Sequence, residues 1–470
     1  MKSRIGIIGA GISGLTIAWL LRKNGYDVRV YEASDQPGGA MKTTRHPDGW
    51  LAEWGPNTII ESSERIKKLI SLLGLERRRR YPNDHAKKRY LVRGGETVAA
   101  PDSLKTFLTT PLLSRRGKWQ VLREPFIRKR PASSSDGNHS ENQDESLADF
   151  VRRRLSDEFL KWPIDALAGG IYAGDPEQLS VRHAFPRLAM VEEQHGSLIL
   201  GQLKGGVKRP PGSDEIPRNK AAIFSFDEGM QVLPNTLADQ IGDDLTTHCR
   251  ITSIDRDGTK WVIRSGGANQ AETFDKIIYA GTAHGLANIT FPDELASLLQ
   301  QVSDITHPPV VSLTLGFRRA DITHPLDGFG MLVPGIEQFP ILGTLFTSSL
   351  FSNRAPDSEH VTLTTYIGGM RQPEMARKPE EEQVRATIDS LNQLIGLSGE
   401  PLFRHRTYWP RAIPQYHVGF SRYLALMNRA EQKFPGFFLA GNYRTGISVG
   451  DSINAAFDMA ERVMGSHSQS

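Results

Sequence analysis

The turn Gly9-Ala10-Gly11-Ile12-Ser13-Gly14 lies between an apolar run, Arg4–Ile8, and a segment with helical spacing, Ile12–Asn24. Few local patterns restrict a fold as tightly. A strand that passes through three glycines into a helix presents backbone N–H groups and the positive end of the helix dipole where side chains would block approach, and a pyrophosphate fits that cradle. The helix is expected to stop at Gly25, which suits a left-handed C-cap. Val28–Tyr31 then supplies a second strand, so the chain opens with a βαβ unit. Glu32 ends that strand, where a carboxylate accepts hydrogen bonds from an adenosine ribose and disfavours a 2′-phosphate.

Composition sets outer bounds. The 470 residues allow roughly two or three domains, and 39% hydrophobic content is enough for a sizeable core. A net charge of +4 does not point to nucleic acid. Its distribution is uneven, however: Arg77 to Arg130 holds sixteen Lys or Arg against four Asp or Glu. The single cysteine, Cys249, excludes an internal disulfide framework. The thirteen histidines nowhere take metal-ligand spacing, so a reducing cytoplasm and no metal are expected. The uncharged run Ile5–Leu21 is interrupted by Gly6, Gly9, Gly11 and Gly14, which makes it strand, turn and helix rather than a signal peptide or a membrane span.

Further along, Ile66, Leu69, Ile70 and Leu73 mark a helix within residues 61–74, and a helical block runs from about Leu147 to Leu167. Between them Pro131–Glu145 is polar and reads as a loop. Ile251–Ile254, Trp261–Ile263 and Lys276–Tyr279 resemble the central β-meander of flavoprotein folds. Val310–Phe317 and Val361–Ile367 belong to a large antiparallel sheet, and Ser452–Met464 reads as a final helix after a glycine-rich turn. The fold class is mixed α/β: a Rossmann-like nucleotide unit with a substrate unit on an antiparallel sheet and a helical region.

Two further motifs choose the nucleotide. Gly38-Gly39, then Glu53-Trp54-Gly55-Pro56-Asn57-Thr58, resemble the second flavin-contact region of amine-oxidase-like flavoproteins. Near the end, Phe438-Leu439-Ala440-Gly441-Asn442-Tyr443 precedes Gly446-Ile447-Ser448-Val449-Gly450-Asp451-Ser452-Ile453, a strand, turn and helix start that would set N–H donors against a flavin ring. FAD is the expected cofactor. The resemblance assigns it Gly9, Ala10, Gly11, Ile12, Ser13, Gly14, Glu32, Ala33, Gly39, Ala40, Gly55, Pro56, Asn57, Thr58, Ile251, Gly441, Ile447, Ser448 and Val449. Ala40 departs from the superfamily, which often continues the Gly-Gly pair with Arg; Lys42 is the nearby cation that would replace it.

The middle of the chain is more specific. Ala168-Gly169-Gly170-Ile171-Tyr172-Ala173-Gly174-Asp175-Pro176 with Leu179-Ser180, Phe185-Pro186, His195-Gly196-Ser197, Leu342-Gly343-Thr344-Leu345-Phe346 and the stretch from Tyr408 to Tyr416 resemble the protoporphyrinogen and coproporphyrinogen oxidase family. The resemblance implies an FAD-binding domain of residues 1–81, 231–289 and 405–470. It implies a substrate domain of 82–88, 196–230 and 290–404, and a helical, membrane-associating region of 89–195. It implies Arg89 as the cation for a substrate propionate, with Leu332, Leu345 and Tyr366 sandwiching the tetrapyrrole. Gly170 would face its pyrrole N–H groups, and Asn57 would lie near the flavin.

That family's chemistry is hydride transfer from a meso carbon to flavin N5, with dioxygen as reoxidant and three turnovers for six electrons. No Ser-His-Asp, Cys-His or paired-carboxylate set reads as a catalytic centre, and none is needed while the flavin carries the chemistry. His183 and His195 read as structural. Phe107, Leu108, Leu112, Leu113, Trp119, Val121, Leu122, Phe126 and Ile127, interleaved with cations, suit an anionic bilayer as well as a solvated helical face, so a cytoplasmic protein with peripheral membrane contact is expected. Protoporphyrinogen and coproporphyrinogen oxidation, flavin amine oxidation and a homodimer all stay open.

Overall fold

The structure, a computed structural model, describes residues 3–129, 144–207, 214–217, 220–266 and 271–465. All but the last two residues of the expected loop Pro131–Glu145 lie outside the described residues.

The opening unit forms as its pattern predicts. Arg4–Ile8 pairs in parallel with Asp27–Tyr31. Lys276–Tyr279 lies on its other side, and the sheet extends through Leu245–Thr246 at one edge and Phe437–Leu439 at the other. Ile5, Ile7, Val28 and Val30 are buried, as befits a parallel sheet covered on both faces. The helix Ile12–Lys23 buries Leu15, Ile17, Ala18 and Leu21. Lys276–Tyr279 therefore leaves the expected β-meander, which consists of Ile251–Asp257, Lys260–Ser265 and Ala271–Phe274. Its four residues are all buried, a pattern that suits an inner parallel strand.

Seven strands form the second large sheet, in the order Phe403–Trp409, Val310–Arg318, His360–Gly368, Gly343–Leu345, Gly328–Leu332, Lys88–Arg93 and Glu96–Ala99. It is antiparallel except where Lys88–Arg93 joins Gly328–Leu332 in parallel. The expected domain borders cut strands of this sheet. The border at residue 89 falls inside Lys88–Arg93, so the helical region has its first helix only at Leu104–Thr109, and the border at 405 falls inside Phe403–Trp409.

The two faces of this sheet differ. Val311, Leu313, Leu315, Phe317, Leu363 and Ile367 share a core with Val384, Leu391, Leu394 and Ile395 of the helix Glu380–Ile395. The alternate positions carry Ser312, Thr314, Gly316, Thr362, Thr364 and Tyr366, and the hydroxyls of Thr314 and Thr364 meet at 3.0 Å. That face turns toward the nucleotide half: the ring of Trp50 lies where a side chain on Gly316 would stand.

A buried ion pair ties the halves together. Glu53, at the end of the strand Leu51–Glu53, accepts from the Met230 N–H at 2.9 Å, the Thr43 hydroxyl at 2.6 Å and Arg354 Nη2 at 3.4 Å. Arg354 also reaches Ser225 Oγ at 2.6 Å, Asn353 Oδ1 at 3.0 Å and the Phe226 carbonyl at 3.3 Å. Burial pushes the Glu53 carboxyl up to about 7 despite Arg354, Thr43, Met230 and Arg45, and pulls the Arg354 guanidinium down.

Between the ordinary value near 4.5 and about 7, the folded carboxyl holds a proton that the unfolded one has lost. The wild-type fold therefore loses stability as pH rises through that window, by on the order of 2–3 kcal/mol. Glu53→Gln, which does not titrate, should gain melting temperature relative to wild type between pH 5 and pH 8, whatever the offset at pH 5. A gap that stays constant across that range would mean that Arg354 holds the carboxylate ionised throughout.

Candidate active site

Three glycines shape the mouth of the first helix, each for its own reason. Gly9 has φ +104°, and a Cβ there would stand 2.9 Å from the Ala280 carbonyl oxygen. A side chain on Gly14 would strike the Gly9 carbonyl, so this glycine lets helix and strand close on each other. Gly11 differs, because a Cβ there meets nothing within 4 Å. The helix that follows has no side-chain cap, so the leading N–H groups of Ile12, Ser13 and Gly14 are directed at that open space. The cradle fits the diphosphate of FAD.

Glu32 is fixed at the edge of the cradle. Its carboxylate accepts from the N–H groups of Ala10 at 2.8 Å and Ser34 at 2.9 Å, and from Ser34 Oγ at 2.8 Å, beside exposed Ala33. Residues 246–251 run alongside: the Glu32 N–H donates to the Thr246 carbonyl and the Cys249 N–H to the Glu32 carbonyl, leading into buried Ile251. The Gly38 N–H donates to the Ala10 carbonyl at 2.8 Å, and a Cβ on Gly39 would stand 3.3 Å from Gly11 Cα. Ala40 is exposed and lies over Gly55, where a Cβ would be 2.7 Å from the Ala40 carbonyl oxygen. Lys42 is not free to replace the missing arginine. Its ammonium lies 3.7 Å from Asp35 and 5.4 Å from the Trp54 ring centroid.

The C-terminal motif returns to the same place. Ser13 and Ile17 share a 50 Å³ cavity with Ala440, Gly441 and Met459. The Tyr416 hydroxyl donates to the Asn442 carbonyl and accepts from the Gly446 N–H at 2.8 Å, which holds the turn. Ser448 caps the helix Val449–Gly465: its Oγ accepts from the Asp451 N–H at 3.0 Å and donates to Asp451 Oδ2 at 2.6 Å, beside half-buried Ile447.

On the sheet, Leu332, Gly343 and Tyr366 are register partners across three strands, and Gly330, Leu345 and Thr364 form the next row of the same face. Gly170, on the helix Asp165–Tyr172, approaches that face so closely that a Cβ on it would be 2.5 Å from Leu332 Cδ2. Tyr366 lies under the cofactor loop. Asn57 Nδ2 donates to the Tyr366 hydroxyl at 2.8 Å and to the Gly55 carbonyl at 3.2 Å, and the Tyr366 hydroxyl is 3.3 Å from that carbonyl. Pro56 and Thr58 complete the loop, both half-buried. Asn57 Oδ1 is buried with no partner among the described residues. Burial, with the Glu53 carboxyl nearby, pushes the Tyr366 hydroxyl well above its ordinary value, so it stays protonated.

Arg89 stands apart. It is exposed on Lys88–Arg93, three strand spacings or roughly 14 Å from the Tyr366 strand, with its guanidinium 5.7 Å from the Phe329 ring centroid. His183 Nε2 pairs with Ser421 Oγ at 3.0 Å and His195 Nε2 with the Gly206 carbonyl at 2.8 Å, which fits structural roles. Sequence reasoning passed over Glu53 and Arg354 as site neighbours. Glu53 had a signal, a carboxylate two residues before Gly55; Arg354 had none.

The model of the flavin-containing amine oxidoreductase family matches residues 12–464. The chain belongs to this family. This flavoprotein is 33% identical, over 98% of its length and 94% of the relative's, to Protoporphyrinogen oxidase 2, chloroplastic/mitochondrial, of Arabidopsis thaliana. It is 26% identical to the Coproporphyrinogen III oxidase of Bacillus subtilis (strain 168), with 96% of each chain covered. A crystal structure from Exiguobacterium sp. 255-15 superposes with a TM-score of 0.79, covers 99% of each chain and is 22% identical, a likeness that bears on the fold alone. The flavoprotein is thus an oxidase that uses FAD.

The glycine geometry separates two substitutions. Gly11→Val should give folded protein that purifies without flavin absorbance, since the side chain enters the open cradle. Gly14→Val should fail to fold, since its side chain meets backbone. A yellow, active Gly11→Val protein would contradict the placement of the diphosphate.

Proposed function

We propose that this flavoprotein oxidises protoporphyrinogen IX to protoporphyrin IX in porphyrin biosynthesis. The observation that carries the choice is the charge pattern along the strand Lys88–Arg93 and the residue before it. Lys87, Lys88 and Arg93 are already paired with Asp84, Asp327 and Glu158, at 3.2, 2.6 and 2.9 Å. Arg89 alone of these four cations has no carboxylate partner among the described residues. One uncommitted cation suits a substrate with two propionates better than coproporphyrinogen III with four. A charge-assisted contact of this kind contributes about 1.5–3 kcal/mol. Coproporphyrinogen III is the second reading, favoured by the full-length similarity to the Bacillus subtilis enzyme.

In this reading each side chain positions rather than reacts. Leu332, Leu345 and the Tyr366 ring hold the macrocycle and keep water from it, Arg89 anchors a propionate, and Asn57 fixes the Tyr366 hydroxyl against the cofactor loop. FAD, when bound, would supply the two-electron acceptor, needed three times for the six electrons removed, with dioxygen as the oxidant that restores it and hydrogen peroxide as the product. Arg89→Ala should raise KM for protoporphyrinogen by roughly tenfold or more with flavin content unchanged, and unchanged kinetics would remove Arg89 from the site. Aerobic turnover of both porphyrinogens, followed by porphyrin fluorescence and peroxide together, tests the reading; faster oxidation of coproporphyrinogen III would overturn the substrate choice.

The helical region is assigned to a bilayer surface on the cytoplasmic side. Leu104, Leu108, Trp119, Leu122, Phe126 and Leu203 are exposed, Phe126 by 86%, among exposed Lys105, Arg115, Arg116, Arg123 and Arg128. Leu112, Leu113 and Val121 are withdrawn from the expected lipid contacts because they are buried, Leu112 against Leu91 and Ala166. No helix among the described residues is long and apolar enough to cross a membrane, so docking is peripheral in this reading. The protein should co-sediment with phosphatidylserine vesicles at low salt and lose most of that binding in Phe126→Glu; indifference of the wild type to such vesicles would refute the assignment.

A further inference from the structure

The helix Asp165–Tyr172 carries Gly170 to the substrate face, and its position is set by an ion pair that the proposed chemistry does not use. Arg371 lies five residues beyond Tyr366, just after the strand His360–Gly368 ends. Its Nη1 donates to Asp165 Oδ2 at 2.6 Å, and its Nη2 to the Val333 carbonyl, one residue past Leu332, at 3.2 Å. Asp165 Oδ2 also accepts from the Gly335 N–H at 2.6 Å. Both partners are largely buried, with side-chain exposures of 15% and 16%. The guanidinium thus joins three segments: the start of the Gly170 helix, the chain leaving Leu332 and the chain leaving Tyr366.

The neighbouring contacts explain the glycine pair. A Cβ on Gly169 would land on Arg371 Nη2, and a Cβ on Gly170 would stand 2.5 Å from Leu332 Cδ2. Gly169 lets the helix press on the guanidinium, and Gly170 lets it press on the substrate face. At the other end of the helix, the Met370 N–H donates to the Ala173 carbonyl at 2.7 Å. Residues 370 and 371 therefore hold the helix at both ends. A planar fork is suited to this work because it reaches a carboxylate and a carbonyl at once in fixed geometry, which an ammonium does not do.

We infer that Arg371, through Asp165 and Gly169, is a positioning residue that sets the distance between Gly170 and Leu332 and so the width of the substrate slot. The inference rests on the porphyrinogen reading for the identity of the substrate. The experiment is steady-state kinetics of the FAD-loaded enzyme with protoporphyrinogen IX for wild type, Arg371→Met, Arg371→Lys and Gly169→Ala, with FAD content and melting temperature measured alongside. Arg371→Met should raise KM roughly ten- to a hundredfold, with kcat reduced less than KM is raised and FAD content unchanged. Arg371→Lys should fall between Met and wild type. Gly169→Ala should reproduce the KM defect with the ion pair chemically intact, and it keeps the test available where Arg371→Met folds poorly. A melting-temperature loss with KM unchanged in Arg371→Lys and Gly169→Ala would overturn the inference and leave the substrate reading intact. A wild type inactive on both porphyrinogens would overturn both.

Discussion

The rest of the structure hangs on one small polar contact, where Asn57 and Gly55 of the cofactor loop meet the Tyr366 hydroxyl of the substrate sheet. The two partners are 309 residues apart in sequence, Asn57 buried and Tyr366 half-buried, so the bond brings together segments that are built independently. A buried polar group that loses its partner costs about 1–3 kcal/mol, and the bond has a direction that apolar packing lacks. It therefore fixes where the sheet lies relative to the flavin turn as well as holding the two together. Glu53 and Arg354, also buried, add a second tie across the same boundary.

The sheet meets that constraint by dividing its chemistry between its faces. The branched apolar face is spent on the helix Glu380–Ile395. The other carries small residues and hydroxyls, among which Thr364 Oγ1 meets Thr314 Oγ1 at 3.0 Å and Thr347 Oγ1 at 3.2 Å, and this leaves room for Trp50 over Gly316. Hydroxyls that are already paired neither attract water nor offer a base. Such a surface suits a reaction in which the cofactor takes the electrons and the protein supplies shape and one charge.

Much of this was legible in the sequence wherever local pattern and final environment agree. The Gly9–Gly14 turn, the helix after it and the strands at Val310 and Val361 follow from spacing that holds at short range. Failures came where a distant partner decides. Lys276–Tyr279 has the same β-rich pattern in a meander as in a parallel sheet, and only its pairing with Arg4–Ile8 tells the two apart. Leu112, Leu113 and Val121 look lipid-facing among cations until the Leu91 strand and the Ala166 helix cover part of that surface. Lys42 looked available for the cofactor phosphates, but Asp35 and Trp54 engage it. Arg371 and Arg354 give no local sign of burial, because the carboxylates that make it tolerable lie 206 and 301 residues away.

The central claim is that a porphyrinogen gives up its electrons at the junction of the Asn57 loop and the Tyr366 sheet. It is tested most directly by mixing FAD-loaded protein anaerobically with excess protoporphyrinogen IX and following flavin absorbance and porphyrin fluorescence in one turnover. The account predicts that the flavin bleaches as protoporphyrin formation begins, and more slowly in Tyr366→Phe, which leaves Asn57 Nδ2 without that partner. Flavin that stays oxidised in the wild type under excess porphyrinogen would contradict it.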